Sequence, residues 1–233
     1  MRRHQSLVVF LFLTVMIAAV SSSNAQEPFD YFENSWNVIG LKDYEHGTRV
    51  TPDNKLILAE KRVATIRVGR NLTPLSRKQT KTLLEGWLPI VLLTTTDDVV
   101  RYDITLWATP LPNARDWKKA FDWPTEGENY LNWIQIKATN ISDRKAEAKL
   151  AADVTGAAGA DNEKIVWSLN PRASRAATFR IPFFPIDGPT NFDNEDAKLW
   201  LKRAVDYWQG VLADTTHITV PCRKASKAIL AAH

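Results

Sequence analysis

The sequence feature that most constrains the fold is residues 99–136, where two strand-like segments flank a long acidic and aromatic connection. In residues 99–107 apolar and polar positions alternate, with Tyr102, Ile104 and Leu106 on one parity. This period of two is typical of a half-buried strand, because successive side chains point to opposite faces of a sheet. Residues 130–138 predict a second strand. We therefore expect a β-sheet with one large loop, residues 108–129, folded against it.

Short strands are predicted along most of the remaining chain, over residues 35–41, 55–59, 62–68, 87–95, 147–154, 164–169 and 176–182. Pro89 must then lie at a strand start or an edge, since proline cannot donate to a ladder. Residues 42–54 read as a turn region, residues 97–98 as a hairpin turn, and the polar residues 71–86 as a short helix. Nine or ten closely spaced strands predict a mainly β chain built as a large antiparallel β-sandwich.

The hydrophobic pattern changes after residues 187–189. Trp200, Ala204 and Trp208 recur at helical spacing, which predicts a helix capped by Asp193 and ending near Ala213. Pro221 suits the start of a second helix over residues 222–233, whose apolar face has nothing after it to cover it. We predict a β-sandwich domain at residues 26–186 and, at residues 187–233, a helical linker with the start of a missing helical domain.

The N-terminus has the features of an export signal. Arg2 and Arg3 precede an apolar run over residues 7–20, shorter than the ~20 residues of a membrane span. Small residues end at Ala25, so residues 1–25 are predicted to be a cleaved signal peptide, with an uncleaved anchor as the alternative. We expect an exported protein, periplasmic or secreted and most typical of bacteria, with no membrane span after cleavage. The single cysteine, Cys222, excludes an internal disulfide.

Charge and motif content exclude several classes of function. The net charge of +4 and the absence of a basic run with interleaved aromatics argue against nucleic acid as a partner. The sequence has no phosphate-binding glycine loop and no serine nucleophile elbow. Its histidines show no metal-ligand spacing, so we predict neither a metal site nor a cofactor. These histidines are His4, His46, His217 and His233.

The acidic and aromatic loop is the main candidate for a functional site. A sugar ring can pack on an indole while carboxylates accept bonds from its hydroxyls, so we take five residues as candidate carbohydrate-binding residues: Trp117, Asp122, Trp123, Glu126 and Glu128. The alternative is that the tryptophans only pack the loop onto the sheet. Glycoside hydrolysis needs two carboxyl groups about 5–10 Å apart. Local spacing does not fix that separation, so no catalytic residue is predicted.

The C-terminal region adds a resemblance to a known family. Its residues are the helical segment Tyr207-Trp208-Gln209-Gly210-Val211-Leu212 and the link Ile218-Thr219-Val220-Pro221. With the sandwich, they resemble the N-terminal region of six-hairpin glycosidases and related glycoside phosphorylases, in which a β-supersandwich and a linker helix precede an (α/α)6 barrel. The resemblance implies that the catalytic acids lie in a barrel absent from this sequence, and that a helical domain or partner chain packs on the C-terminal helices.

These features together lead to one functional hypothesis and two alternatives. The hypothesis is an exported, non-catalytic β-sandwich domain of a carbohydrate-active protein, a fragment without its catalytic barrel. One alternative is a self-standing module that holds a glycan on Trp117 and Trp123. The other is a periplasmic interaction domain whose terminal helices dock on a partner.

Overall fold

Two antiparallel β-sheets form most of the chain in the computed structural model, which describes residues 35–79, 81–125, 127–156, 162–187 and 192–213, with Cys222 and Ala225. The strands of the first sheet are β1 (Asn37–Ile39), β2 (Thr48–Val50), β3 (Leu56–Ile57), β4 (Val63–Val68), β5 (Thr73–Pro74), β10 (Ala146–Thr155) and β11 (Asn162–Leu169). Those of the second are β6 (Lys81–Leu84), β7 (Leu88–Asp97), β8 (Val100–Pro110), β9 (Tyr130–Asn140) and β12 (Ser174–Pro182). The predicted mainly β sandwich is confirmed.

The order of strands places the early and late parts of the chain side by side. The first sheet runs β1-β2-β3-β4-β10-β11, with β5 paired on β4, and the second runs β12-β9-β8-β7-β6. Asp97 pairs with Val100, so the predicted hairpin at residues 97–98 is confirmed. Pro89 lies near the start of β7, where the pairing with β6 shifts register. The ladder therefore tolerates this proline, as predicted.

The predicted alternation is confirmed as far as Leu106, and the strand then continues to Pro110 with residues of both faces buried. Tyr102, Ile104 and Leu106 are buried on one face of β8. Trp107 points to the other face, where its ring stacks on that of Trp133 from β9 at 5.5 Å. Trp133 in turn stacks on Trp200, which belongs to the C-terminal helix. The second sheet is thus covered on both faces at this end.

Two predictions for the first half of the chain are wrong. The expected turn region 42–54 contains β2, whose Val50 is fully buried although the strand has only three residues. The expected helix in residues 71–86 is replaced by β5 and β6. Lys81 explains the second error, because its ammonium group is buried and donates to the carbonyl oxygens of Ser35 at 2.6 Å and Thr51 at 2.9 Å. A residue counted as polar surface therefore points inward.

The C-terminal helix begins later than predicted. It spans Ala197–Ala213 and is labelled α2, since a shorter helix, α1 (Trp117–Asp122), precedes it. Its cap is Asp196 and not Asp193: the Asp196 carboxylate accepts the backbone N–H of Lys198 at 2.9 Å and of Leu199 at 3.3 Å. Trp200 and Ala204 are buried, as the helical spacing predicts.

Several predicted features lie outside the described residues: the signal peptide at 1–25, the candidate Glu126, and the second helix at 222–233 apart from Cys222 and Ala225. Among the helices that are described, none combines the length and the apolar character needed to cross a membrane. The division at residues 26–186 and 187–233 stays a prediction.

Candidate functional site

Three segments meet at one end of the sandwich and are called the loop cluster: residues 40–47 between β1 and β2, residues 111–125 and 127–129 between β8 and β9, and residues 183–187 after β12. The Tyr44 hydroxyl donates to the Ala120 carbonyl at 2.9 Å. The Asn129 amide oxygen accepts the N–H of Phe184 at 2.9 Å. These bonds join segments far apart in the sequence and give the long loop a defined position, as expected for a loop rich in tryptophan.

Helix α1 organises the middle of the long loop. Asp116 caps it, with its carboxylate accepting the N–H of Lys119 at 3.1 Å. Ala120 and Phe121 are buried, and the Phe121 ring stacks on Tyr207 of α2 at 4.8 Å. A region predicted as irregular thus contains one and a half helical turns wedged between the sheet and α2.

Trp117 is enclosed by side chains of α2. The Arg203 guanidinium lies over its ring at 4.1 Å from the centroid, and the Trp200 ring meets it edge-on at 5.6 Å. Lys118 adds a more distant cation at 5.7 Å. The structure therefore places this predicted sugar-contacting residue in the packing between loop and helix.

Asp122, at the last residue of α1, is held by two hydrogen bonds. Lys42 donates to its Oδ1 at 3.0 Å and the Tyr207 hydroxyl at 3.1 Å. The Lys42 bond, followed by the Tyr207 bond, lowers the pKa of the Asp122 carboxyl. Burial, followed by the bond to Asp122, raises the pKa of Tyr207. Asp122 is thus an ionised acceptor at neutral pH, unlike a glycosidase acid, whose pKa is raised.

Trp123 follows directly and is the exposed aromatic residue of the loop. Its backbone is extended, and its N–H bonds the Lys119 carbonyl at 2.9 Å, which ends the helix. Its side chain is 61% exposed, the largest value among the large apolar residues that the structure describes. The ring of Trp123, the residue after Asp122 in the chain, is therefore open to a ligand.

Glu128 lies on a tight turn and approaches a second segment. Gly127 and Glu128 both have positive φ, at 61° and 62°. The Glu128 carboxylate comes within 4.8 Å of ligand atoms of Glu45 and His46 in the β1–β2 connection. Neither Glu45 nor His46 was selected from the sequence, because they lie far from Glu128 along the chain and only the fold brings them together.

The pairing of Ile39 with Thr48 holds the two ends of the His46 segment together. A Cβ on Gly47 would lie 2.5 Å from a methyl carbon of Val38, so a larger residue at this position would require the Val38 side chain to move. Beside it is a cavity of about 480 Å³, lined in part by His46, Arg49, Phe183 and Phe184. The loop cluster thus has two open features, the Trp123 ring and this cavity.

Comparison of the chain with known protein families, with curated proteins and with solved structures finds no match.

Proposed function

We propose that the chain is a non-catalytic β-sandwich domain of an exported, carbohydrate-active protein, and that it holds a glycan on Trp123. The observation that carries the proposal is the contrast within one anchored loop. The Trp117 and Phe121 rings pack against α2, whereas the Trp123 ring is largely exposed. An exposed indole on a fixed backbone binds with little ordering cost.

Trp123 and the preceding residue, Asp122, together offer groups that suit a sugar. The C–H face of a pyranose ring is apolar and packs on an indole, and its hydroxyl groups donate to carboxylates. Asp122 supplies an ionised carboxylate at the adjacent position, and Lys42 supplies a cationic donor bound to it. Trp123 and Asp122 are therefore the residues of the predicted set on which the proposal rests.

The alternative of an interaction domain that docks through α2 has weaker support. The apolar face of α2, including Trp200 and Ala204, already packs on the second sheet, and Leu201 and Val205 lie against the same core. A partner that docks on α2 itself would have to use the exposed face of the helix, which carries Leu199, Lys202 and Asp206. The exposed aromatic ring is the better-supported contact.

The test measures retention of the chain in native gels that contain different polysaccharides, followed by a glycan array. We expect Trp123→Ala to abolish retention and Trp123→Phe to keep part of it. Trp36→Ala is the matched control, because this tryptophan is 57% exposed and lies outside the loop cluster. Unchanged retention in Trp123→Ala, or equal loss in Trp36→Ala, would contradict the proposal.

A further inference from the structure

Glu45, His46 and Glu128 form a mixed set of metal-binding side chains. One ligand atom of each lies within 4.8 Å of the other two. Glu45 and His46 are exposed and Glu128 is half-buried. The two segments that carry them are held by separate contacts, the pairing of Ile39 with Thr48 and the Asn129 bonds to Phe184. Both segments that carry the three side chains are therefore held in place by contacts elsewhere in the fold.

The two carboxylates of this set, those of Glu45 and Glu128, form no ion pair among the described residues. Two carboxylates at this distance repel each other, and a cation between them relieves the repulsion. The imidazole of His46 lies within reach of both carboxylates and can serve as a ligand of such a cation.

The chemistry of the donors selects the metal. Calcium and magnesium take oxygen ligands, whereas a neutral imidazole with carboxylates suits Zn²⁺. We propose that Glu45, His46 and Glu128 bind one Zn²⁺ ion. Three protein ligands leave a zinc coordination position for water or a ligand group. His46 and Glu45 also line the cavity beside Arg49 and Phe183.

The surroundings of His46 support this assignment. Its ring lies against Phe183, with centroids 6.3 Å apart and planes tilted by 38°. Phe183 is itself fixed by stacking on Tyr130 at 4.7 Å. Packing against a buried aromatic limits the rotamers of a metal ligand, which lowers the ordering cost of binding. The prediction of no metal site came from local spacing, which does not detect a set joined only by the fold.

The test is calorimetric titration of the purified chain with ZnCl₂ alone, and separately with CaCl₂ alone. We expect one saturable Zn²⁺ site per chain and weaker Ca²⁺ binding. His46→Ala and Glu128→Gln should each weaken Zn²⁺ binding at least ~10-fold, since loss of even an outer-shell partner costs 10–100-fold. Glu60→Gln is the matched control, because Glu60 lines the same cavity but is not one of the three ligands.

A second measurement keeps the proposal testable if a variant folds poorly. Co²⁺ bound to the unaltered chain should give visible absorption bands of a low-coordinate nitrogen and oxygen site, and ZnCl₂ should remove them. Absence of saturable Zn²⁺ binding, equal binding in His46→Ala, or tighter binding of Ca²⁺ would overturn the proposal. None of these results depends on Trp123, so the glycan proposal and the zinc proposal fail separately.

Discussion

The two Asp-Trp pairs of the β8–β9 connection share a dipeptide sequence and meet opposite environments. Asp116 caps α1, and Trp117 lies under Arg203 and Trp200 of α2. Asp122 ends the same helix and bonds two side chains, and Trp123 points into solvent. The local sequence therefore does not decide the role of the ring. The path of the later chain decides it, since α2 passes over one tryptophan and leaves the other open.

The largest effect on stability is expected when Trp200, which packs against Trp117, is removed. Trp200→Ala should destabilise the fold by about 3–5 kcal/mol, the usual range for a buried tryptophan, because it leaves a void between α2 and Trp133. The measurement is the free energy of unfolding in urea, with Leu199→Ala as control, since Leu199 is exposed on the same helix. Equal losses in both variants would show that Trp200 does not anchor α2.

A smaller loss is expected when the enclosed tryptophan itself is removed. Trp117→Ala should cost about 2 kcal/mol, because the side chain is only half-buried and loses part of the apolar contact of a core residue. Chemical unfolding measures it, and fluorescence of the remaining tryptophans should report a loosened α2. A loss below ~0.5 kcal/mol, typical of surface positions, would contradict the enclosed environment of this ring.

Periodicity predicts the sandwich well because burial there follows from local pattern. Tyr102 and Ile104 alternate with polar residues and are buried as the pattern indicates, and Trp200 is buried as helical spacing indicates. The pattern fails where a polar side chain is buried by distant groups, as Lys81 is by two backbone carbonyls. It also fails for very short strands such as β2, whose pairing with β1 and β3 stabilises it.

The candidate site was predictable only in part, because its contacts join distant segments. The loop residues Trp123 and Asp122 stand out by composition. The partners Lys42 and Tyr207 lie 80 and 85 residues from Asp122, and no sequence period connects them. Glu45 and His46 carry no local signal either. The sequence therefore identifies the loop. The fold determines which side chains of that loop are exposed to solvent.

The Arg203 guanidinium over the Trp117 ring is a further difference between the two tryptophans, and it can be tested by substitution. Arg203 lies 4.1 Å from the Trp117 centroid and 4.4 Å from the Trp200 centroid. Arg203→Gln should cost about 1 kcal/mol, within the usual range for a cation–π contact. Arg203→Lys should recover part of that energy, since it keeps the charge but loses the planar stacking surface. If Arg203→Lys is as stable as the unaltered chain, charge alone explains the contact.

The Asp122–Tyr207 bond predicts a pH dependence. The folded-state pKa of Tyr207 is raised above the ordinary 10.0 by burial and by Asp122, so the fold favours the neutral phenol. This contribution is complete below pH 10.0 and is lost as the pH rises through the raised pKa. Tyr207→Phe should therefore lose less stability than the unaltered chain above pH 10.0, in urea titrations at a series of pH values.

Burial also raises the pKa of Tyr130, a residue that is present both in the unaltered chain and in Tyr207→Phe. Tyr130→Phe therefore serves as the control. It should reduce the alkaline loss independently of Asp122. If Tyr207→Phe follows the same alkaline curve as the unaltered chain, the fold does not favour the neutral form of the Tyr207 phenol.

The smallest effect on stability is expected when the exposed tryptophan, Trp123, is removed. Trp123→Ala should change the free energy of unfolding by less than ~0.5 kcal/mol, because the exposed ring buries little apolar surface. Comparing the free energies of unfolding of Trp123→Ala and Trp117→Ala distinguishes a tryptophan that packs the loop from one that is available to bind a ligand. A loss similar to that of Trp117→Ala would mean that Trp123 also packs the loop, and any loss of glycan retention would then be indirect. Unchanged stability with lost retention is the result that assigns the open ring to a ligand.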